Sequence, residues 1–158
     1  MRQLMVSTCE ELLDLSQRLD WLAPLVVRLF FGYFWLETGW AKLEGLDDFT
    51  QRFMEWGVPL PAFSAAVSAW TELLGGGLIM LGLCTRLIAI PMIFNMVIAI
   101  ALVVIKDVHS FTEFVELDEF VYILLFFWLM LAGPGVVSLD TLLTRALGID
   151  ASSPRSMA

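Results

Sequence analysis

Histidine occurs once in this chain of 158 residues and cysteine only twice. His109 cannot build a metal site by itself. Cys9 and Cys84 lie far apart, with no C-x-x-C pair and no Cys/His ligand spacing. Charge is scarce as well: Asp, Glu, Lys and Arg supply 16% of the residues, where a soluble domain carries roughly 25%. Only nine residues are basic against 17 acidic ones, which gives a formal net charge of -8. A chain without a basic patch is a poor partner for the phosphate backbone of nucleic acid. The N-terminus lacks the basic lead of a secretory signal, because Glu10, Glu11, Asp14 and Asp20 stand there. What remains is apolar: 59% of the residues are hydrophobic and the mean hydropathy is +0.81. So short a chain could not cover that much apolar surface with polar groups. The composition therefore excludes a disordered chain, a disulfide-stapled module and an ordinary cytosolic enzyme, and points to the bilayer as solvent.

A helix needs roughly 20 mostly apolar residues to cross ~30 Å of hydrocarbon. Four continuous runs qualify, at about 21–41, 62–83, 87–105 and 120–137. Their apolar residues do not alternate, and only helices or closed barrels satisfy every backbone group in lipid, so all four are expected to be helices. Three amphipathic pieces flank them. Thr8 to Asp20 opens with a capping-box pattern, Thr8 with Glu11, and carries a stripe of Leu12, Leu15, Leu19 and Leu22. Asp48 to Trp56 places Phe49, Phe53 and Trp56 on one face, and Ser138 to Leu147 places Leu139, Leu142, Leu143 and Ala146 on another. Each is expected to lie in the interface plane. The fold class is thus an all-α membrane protein. Its expected architecture is one domain over 1–158, a four-helix transmembrane bundle with interfacial helices at the N-terminus, in the first outer loop and at the C-terminus.

Flanking Lys and Arg set the orientation. Arg2, Arg18, Arg86, Arg145 and Arg155 fall on one side, and Lys42, Arg52 and Lys106 on the other, a count of five against three. Both termini are therefore expected in the cytoplasm. Both cysteines then fall on the reducing side, which argues against a structural disulfide. Cys84 is expected as a small buried apolar residue, and His109 in a solvated acidic loop with Asp107, Glu113 and Glu116. Trp70 and Trp128, inside spans, are expected to pack.

Ionisable groups inside spans are expensive, costing about 2.5–3.5 kcal/mol at a helix centre on insertion scales, and should face protein with a partner. Arg28, Glu37 and Glu72 are the candidates. Nine residues at ~100° each put Arg28 and Glu37 on opposite sides of their helix. Arg28 shares its face with Gly32, Trp35, Gly39 and Lys42, and the two glycines let a neighbouring helix approach. The second span has its own small patch at Gly75, Gly76 and Gly77, one turn from Glu72. Depth along the helices separates Arg28 and Glu72 by ~6 Å of height, within reach of a long side chain. An Arg28–Glu72 ion pair inside the bundle is the expectation. It would either only fix helix register or, with Lys42, line a site for an anionic or quinone-like ligand or a proton path.

The order Arg28, Gly32, Gly39-x-x-Lys42 and Gly57-x-Pro59 resembles the first half of the DoxX family of small membrane proteins. Thr71-Glu72-Leu73 with Gly75 to Gly77, then Leu81-Gly82-Leu83-x-Thr85-Arg86, is similar to that family's second span and inner turn. Ser138-Leu139-Asp140 after Gly133-Pro134-Gly135 resembles its closing motif. Phe34-Trp35, Trp70-Thr71-Glu72 and the run from Arg86 to Pro91 look closest to members linked to maturation of copper-binding modified peptides. The resemblance implies an inner-membrane protein tied to redox chemistry, at most a subunit of a membrane oxidoreductase, with a soluble or membrane oxidoreductase as partner. The family's polar positions map here to Arg28, Lys42, Glu72, Arg86 and Asp140, and Glu37 departs from the family pattern; Arg28, Lys42, Glu72 and Glu37 are the residues expected to bind a ligand. Gly32, Gly39, Gly76, Arg86 and Asp140 are expected to be structural. A quinone is the cofactor the resemblance suggests; no haem, flavin or iron–sulfur ligands are recognisable. Two other classes stay open: a small proton-coupled or solute transporter using Glu72 and Glu37, and a non-catalytic membrane scaffold.

Overall fold

A computed structural model describes residue 11 and residues 13–148. The expectations placed on Arg2, Thr8, Cys9, Glu10, Leu12 and Arg155 lie outside the described residues. The described chain is helical, with no strand. Helix α1 (Leu13–Leu19) turns through 45° into α2 (Leu22–Glu44). Then follow α3 (Leu46–Glu55), α4 (Pro61–Leu81), α5 (Thr85–Leu102), a 3-10 turn (Val104–Asp107), α6 (Phe111–Val115), α7 (Asp118–Ala132) and α8 (Leu139–Ala146).

Two of these helices, α4 and α5, are each long and apolar enough to cross a membrane, and α2 qualifies together with α1 across their bend. The fourth run differs from expectation. It forms a helix of only 15 residues, about 22 Å at ~1.5 Å per residue, because Gly133 (φ 79°) breaks it. Residues 133–137 continue as non-helical chain, where the sequence suggested helix to residue 137. The turn α6 and the 3-10 segment, neither foreseen, fold the acidic stretch between α5 and α7.

Small residues set the closest packing. A Cβ on Gly32 would lie 2.7 Å from the backbone nitrogen of Met80, one on Gly39 would collide with the backbone of Leu73, and one on Gly76 with Leu36. Rising numbers on α2 meet falling numbers on α4, so the two helices run antiparallel with their backbones in contact. In lipid, where burial of apolar surface gives helices no advantage over acyl chains, such close approach is what holds a pair together. The core lies between α2, α4, α5 and α7: Trp35, Ile79, Met92, Phe126 and Leu129 are all buried. Phe31, Trp35, Tyr122 and Phe126 join α2 to α7 as an aromatic stack with ring centroids 4.8–6.0 Å apart.

The lateral faces are apolar and exposed, as a lipid-facing surface must be. Trp70 and Trp128 belong there, with about half and two-fifths of their surface exposed, and not in the packed interior assigned to them from sequence. Leu142 and Leu143 are exposed on α8, and Leu147 just beyond its end.

Candidate functional site

Glu72 sits at the twelfth position of the 21-residue α4, and its side chain is 1% exposed. A carboxylate at that depth needs compensation, and two elements supply it while a third holds the ammonium. Lys42, near the end of α2, puts Nζ 2.6 Å from both carboxylate oxygens. From α5, the Asn95 side-chain amide donates to Oε1 at 3.0 Å. Phe49 of α3 holds its ring 5.0 Å from the same ammonium, a cation–π contact on its remaining side. Gly39 makes this possible: its contact with Leu73 draws α2 onto α4, and Lys42, three residues on along the same face, then lies one turn from the Glu72 level.

The expected Arg28–Glu72 pair is therefore replaced by Lys42–Glu72. Among the described residues it is the only ion pair within 4 Å. Arg28 is buried on the same face of α2 but at the opposite end of the molecule. There it donates through Nη1 to the carbonyl of Pro134 and through Nη2 to the carbonyl of Val137 at 2.7 Å. The non-helical stretch after α7 supplies these acceptors, since a helix would have used them internally. Any side chain at Gly82 would collide with the guanidinium. Beside it, Asp140 accepts from the amide of Cys84 at 2.9 Å and that of Thr85 at 3.4 Å. That carboxylate caps α5, while the Asp140 amide donates to the Gly82 carbonyl at 3.0 Å. Ser138 caps α8 in turn. Arg28, Gly82, Asp140 and Ser138 thus tie the last segment to the α4–α5 turn. Arg86 lies against Gly133. Cys84, expected buried, is exposed at a positive φ of 51° in that turn.

Around the Lys42–Glu72–Asn95 group lies a cavity of about 610 Å³ between α2, α3, α4, α5 and the start of α7. Volumes of roughly 300–1,000 Å³ suit small-molecule ligands. Its walls are mostly apolar and aromatic, with Phe34, Trp35, Phe53, Trp56 and Tyr122 among them, and Thr38, Ser68 and Thr71 add hydroxyls. The Trp35 side chain is 3% exposed, and its indole N–H has no hydrogen-bond partner among the described residues. Arg28 does not line this cavity, nor does Glu37, which is exposed on the other side of α2. Of the four residues expected at a ligand site, the fold brings Lys42 and Glu72 together and leaves Arg28 and Glu37 apart from them. Asn95 and Trp35 join the site instead. Asn95 is the one amide in an otherwise apolar span, and that isolation was the signal for it.

A family model described as DoxX matches residues 23–105. The chain belongs to the DoxX family. The matched stretch holds Lys42, Glu72 and Asn95, and so the polar group of this DoxX protein's cavity. A Bacillus subtilis (strain 168) protein named "Putative oxidoreductase CatD" is 32% identical over 121 residues, 75% of this chain and 85% of its own length. A Mycobacterium tuberculosis protein named "Uncharacterized membrane protein Rv3486" is 30% identical over 133 residues, 77% of this chain and 81% of its own. No solved structure gives a significant match to this DoxX protein.

Proposed function

We propose that this DoxX protein is a redox-linked accessory subunit of the bacterial inner membrane whose cavity holds a quinone-class ligand. The observation that carries the proposal is one buried polar group, Lys42–Glu72–Asn95, set in the wall of a mostly apolar and aromatic chamber. Flat, conjugated head groups with two carbonyl oxygens suit such a chamber. Aromatic walls take their faces, and a few fixed donors take their oxygens. The Asn95 amide is a neutral donor, and Lys42 is a charged one whose other side is held by Glu72. Bound there, a quinone would supply two-electron, two-proton chemistry. The chain's own residues would bind and orient it, keep bulk water away through the Phe53 and Trp56 cover, and hold a proton at the Glu72 carboxylate or the Lys42 ammonium. The oxidoreductase name of the Bacillus subtilis relative supports a redox connection. A partner oxidoreductase would supply the electrons.

In this reading α2, α4, α5 and α7 are four crossings of one membrane domain, with both termini cytoplasmic. The Arg28–Asp140 clasp then lies at the cytoplasmic end and the cavity in the outer half. A carrier using Glu72 is the second reading, favoured by the placement of that carboxylate at the middle of α4. Glu37, exposed and off the cavity wall, gives it no second station.

Titration of tail-less and short-tailed quinones into the protein in nanodiscs tests the proposal. Wild type should bind them, and Glu72→Leu and Asn95→Leu should weaken binding about tenfold, or ~1.4 kcal/mol. Equal binding by all three proteins would rule it out. Solute or proton movement in liposomes without an electron donor would favour the carrier.

A further inference from the structure

Among the described residues, most of the exposed lining of the cavity lies on α4 and α5. Phe34 meets Tyr122 at 5.6 Å between ring centroids and closes the gap between α2 and α7. Phe53 and Trp56, with ring centroids 5.7 Å apart, cover the end nearest α3, and Val58, buried behind them, adds to the cover. At the opposite end the chamber is stopped by the packed core of Trp35, Met92 and Phe126. Between α4 and α5 the wall changes character. Ser64, Ser68 and Thr71 on α4 and Asn95, Ala99 and Leu102 on α5 line the chamber at helical spacing. One step outward on each helix stand Phe63, Val67 and Phe94, which also line it. These three are 67%, 47% and 64% exposed. Clustered on two neighbouring helices, such exposed lining residues mark a mouth; the other exposed lining residues, Phe34, Arg52 and Pro59, stand singly on α2, on α3 and in the loop before α4. This mouth lies on α4 and α5, the two helices that individually qualify as membrane spans, so it opens onto hydrocarbon and not onto water.

We infer that the α4–α5 gap is a lateral portal, through which a ligand with a lipid tail enters from the bilayer. Its head lodges at Lys42, Glu72 and Asn95, and its tail stays among Phe63, Val67 and Phe94. This rests on the quinone reading of the cavity and adds the route and the tail to it. The occupant is an isoprenoid- or alkyl-tailed quinone. The α4–α5 rim of Phe63, Val67, Pro91 and Phe94 carries no charge to hold a phospholipid head, and the further lining charges, Arg52 and Glu119, stand on α3 and α7, whereas Asn95 and Lys42 inside supply the donors a quinone ring requires. Pro91, also on the rim, has no backbone N–H to donate to the Leu87 carbonyl one turn earlier, and so marks a point where α5 is less tightly held.

Photolabelling of the wild-type protein in nanodiscs separates the two parts. Two azidoquinone probes with a ten-carbon tail are used, one with its azide on the ring and one with it at the end of the tail, and a tail-less ring azide serves as the control. Mass spectrometry of the labelled peptides should place the ring probe on the segments holding Lys42 and Asn95, and the tail probe on Phe63, Val67 or Phe94. Val67→Trp, which narrows the mouth without touching the polar group, should lower ring labelling about tenfold for the tailed probe and leave a tail-less azidoquinone within twofold. Ring labels inside the cavity with tail labels on α3, α2 or α7 would overturn the portal and leave the cavity reading standing. No saturable label from either probe, or a phospholipid held in the gap in their place, would overturn both.

Discussion

Lys42 and Glu72 form a two-pronged contact, 2.6 Å from the ammonium to each carboxylate oxygen, and they can do so only because Gly39 lets α2 rest on the backbone of α4 at Leu73. Removal of either charge strands the other in a low-dielectric interior. Breaking a buried pair from one side costs about 3–5 kcal/mol in soluble proteins, and polar contacts between membrane helices are worth less, ~0.6–2 kcal/mol. Lys42→Leu and Glu72→Leu should each destabilise the protein by about 2 kcal/mol, and the double variant by clearly less than their sum. Denaturation in mixed micelles, run as a double-mutant cycle, measures the coupling. An additive double variant would show that the contact carries no energy.

Contact between α2 and α4 makes a second prediction. Gly39→Leu and Gly76→Leu place side chains where the opposing backbone already is, so the helices must separate along their length. Both variants should lose the monodisperse species on size-exclusion chromatography. Gly45→Ala, where an added Cβ meets nothing closer than the Ala41 carbonyl at 3.6 Å, should leave that species intact.

The clasp at the other end makes a third. Arg28→Leu removes the donors to the Pro134 and Val137 carbonyls, at about 1–3 kcal/mol for each acceptor left buried. Asp140→Ala removes the α5 cap, worth ~1 kcal/mol. Limited proteolysis should cut the chain after Gly133 faster in both variants, with quinone binding changed less than twofold. A loss of binding equal to that of Glu72→Leu would mean that the two ends act as one site.

Much of this was legible in the sequence, and the reasons are specific. Four apolar runs, the small-residue face of Gly32 and Gly39 and the need of Glu72 for a partner all follow from what lipid does to backbone and charge. The choice of partner did not follow. Arg28 and Lys42 share one face of α2 and both can reach, so the antiparallel register decides, and it is fixed by where Gly39 and Gly76 touch the opposing backbone. The fate of Arg28 was hidden for a related reason: its acceptors belong to a broken stretch at 133–137 that reads as the continuation of an apolar run. Exposure of Cys84 follows from the left-handed turn between α4 and α5, which Gly82 announces and Cys84 extends.

Native mass spectrometry of the protein released directly from bacterial membranes tests the central claim most directly. The account predicts a one-to-one adduct with the mass of a tailed quinone on wild type and on Arg28→Leu, greatly reduced on Asn95→Leu and on the Lys42→Leu/Glu72→Leu double variant. A wild-type protein that carries no quinone, or one whose adduct survives in the cavity variants, would contradict it.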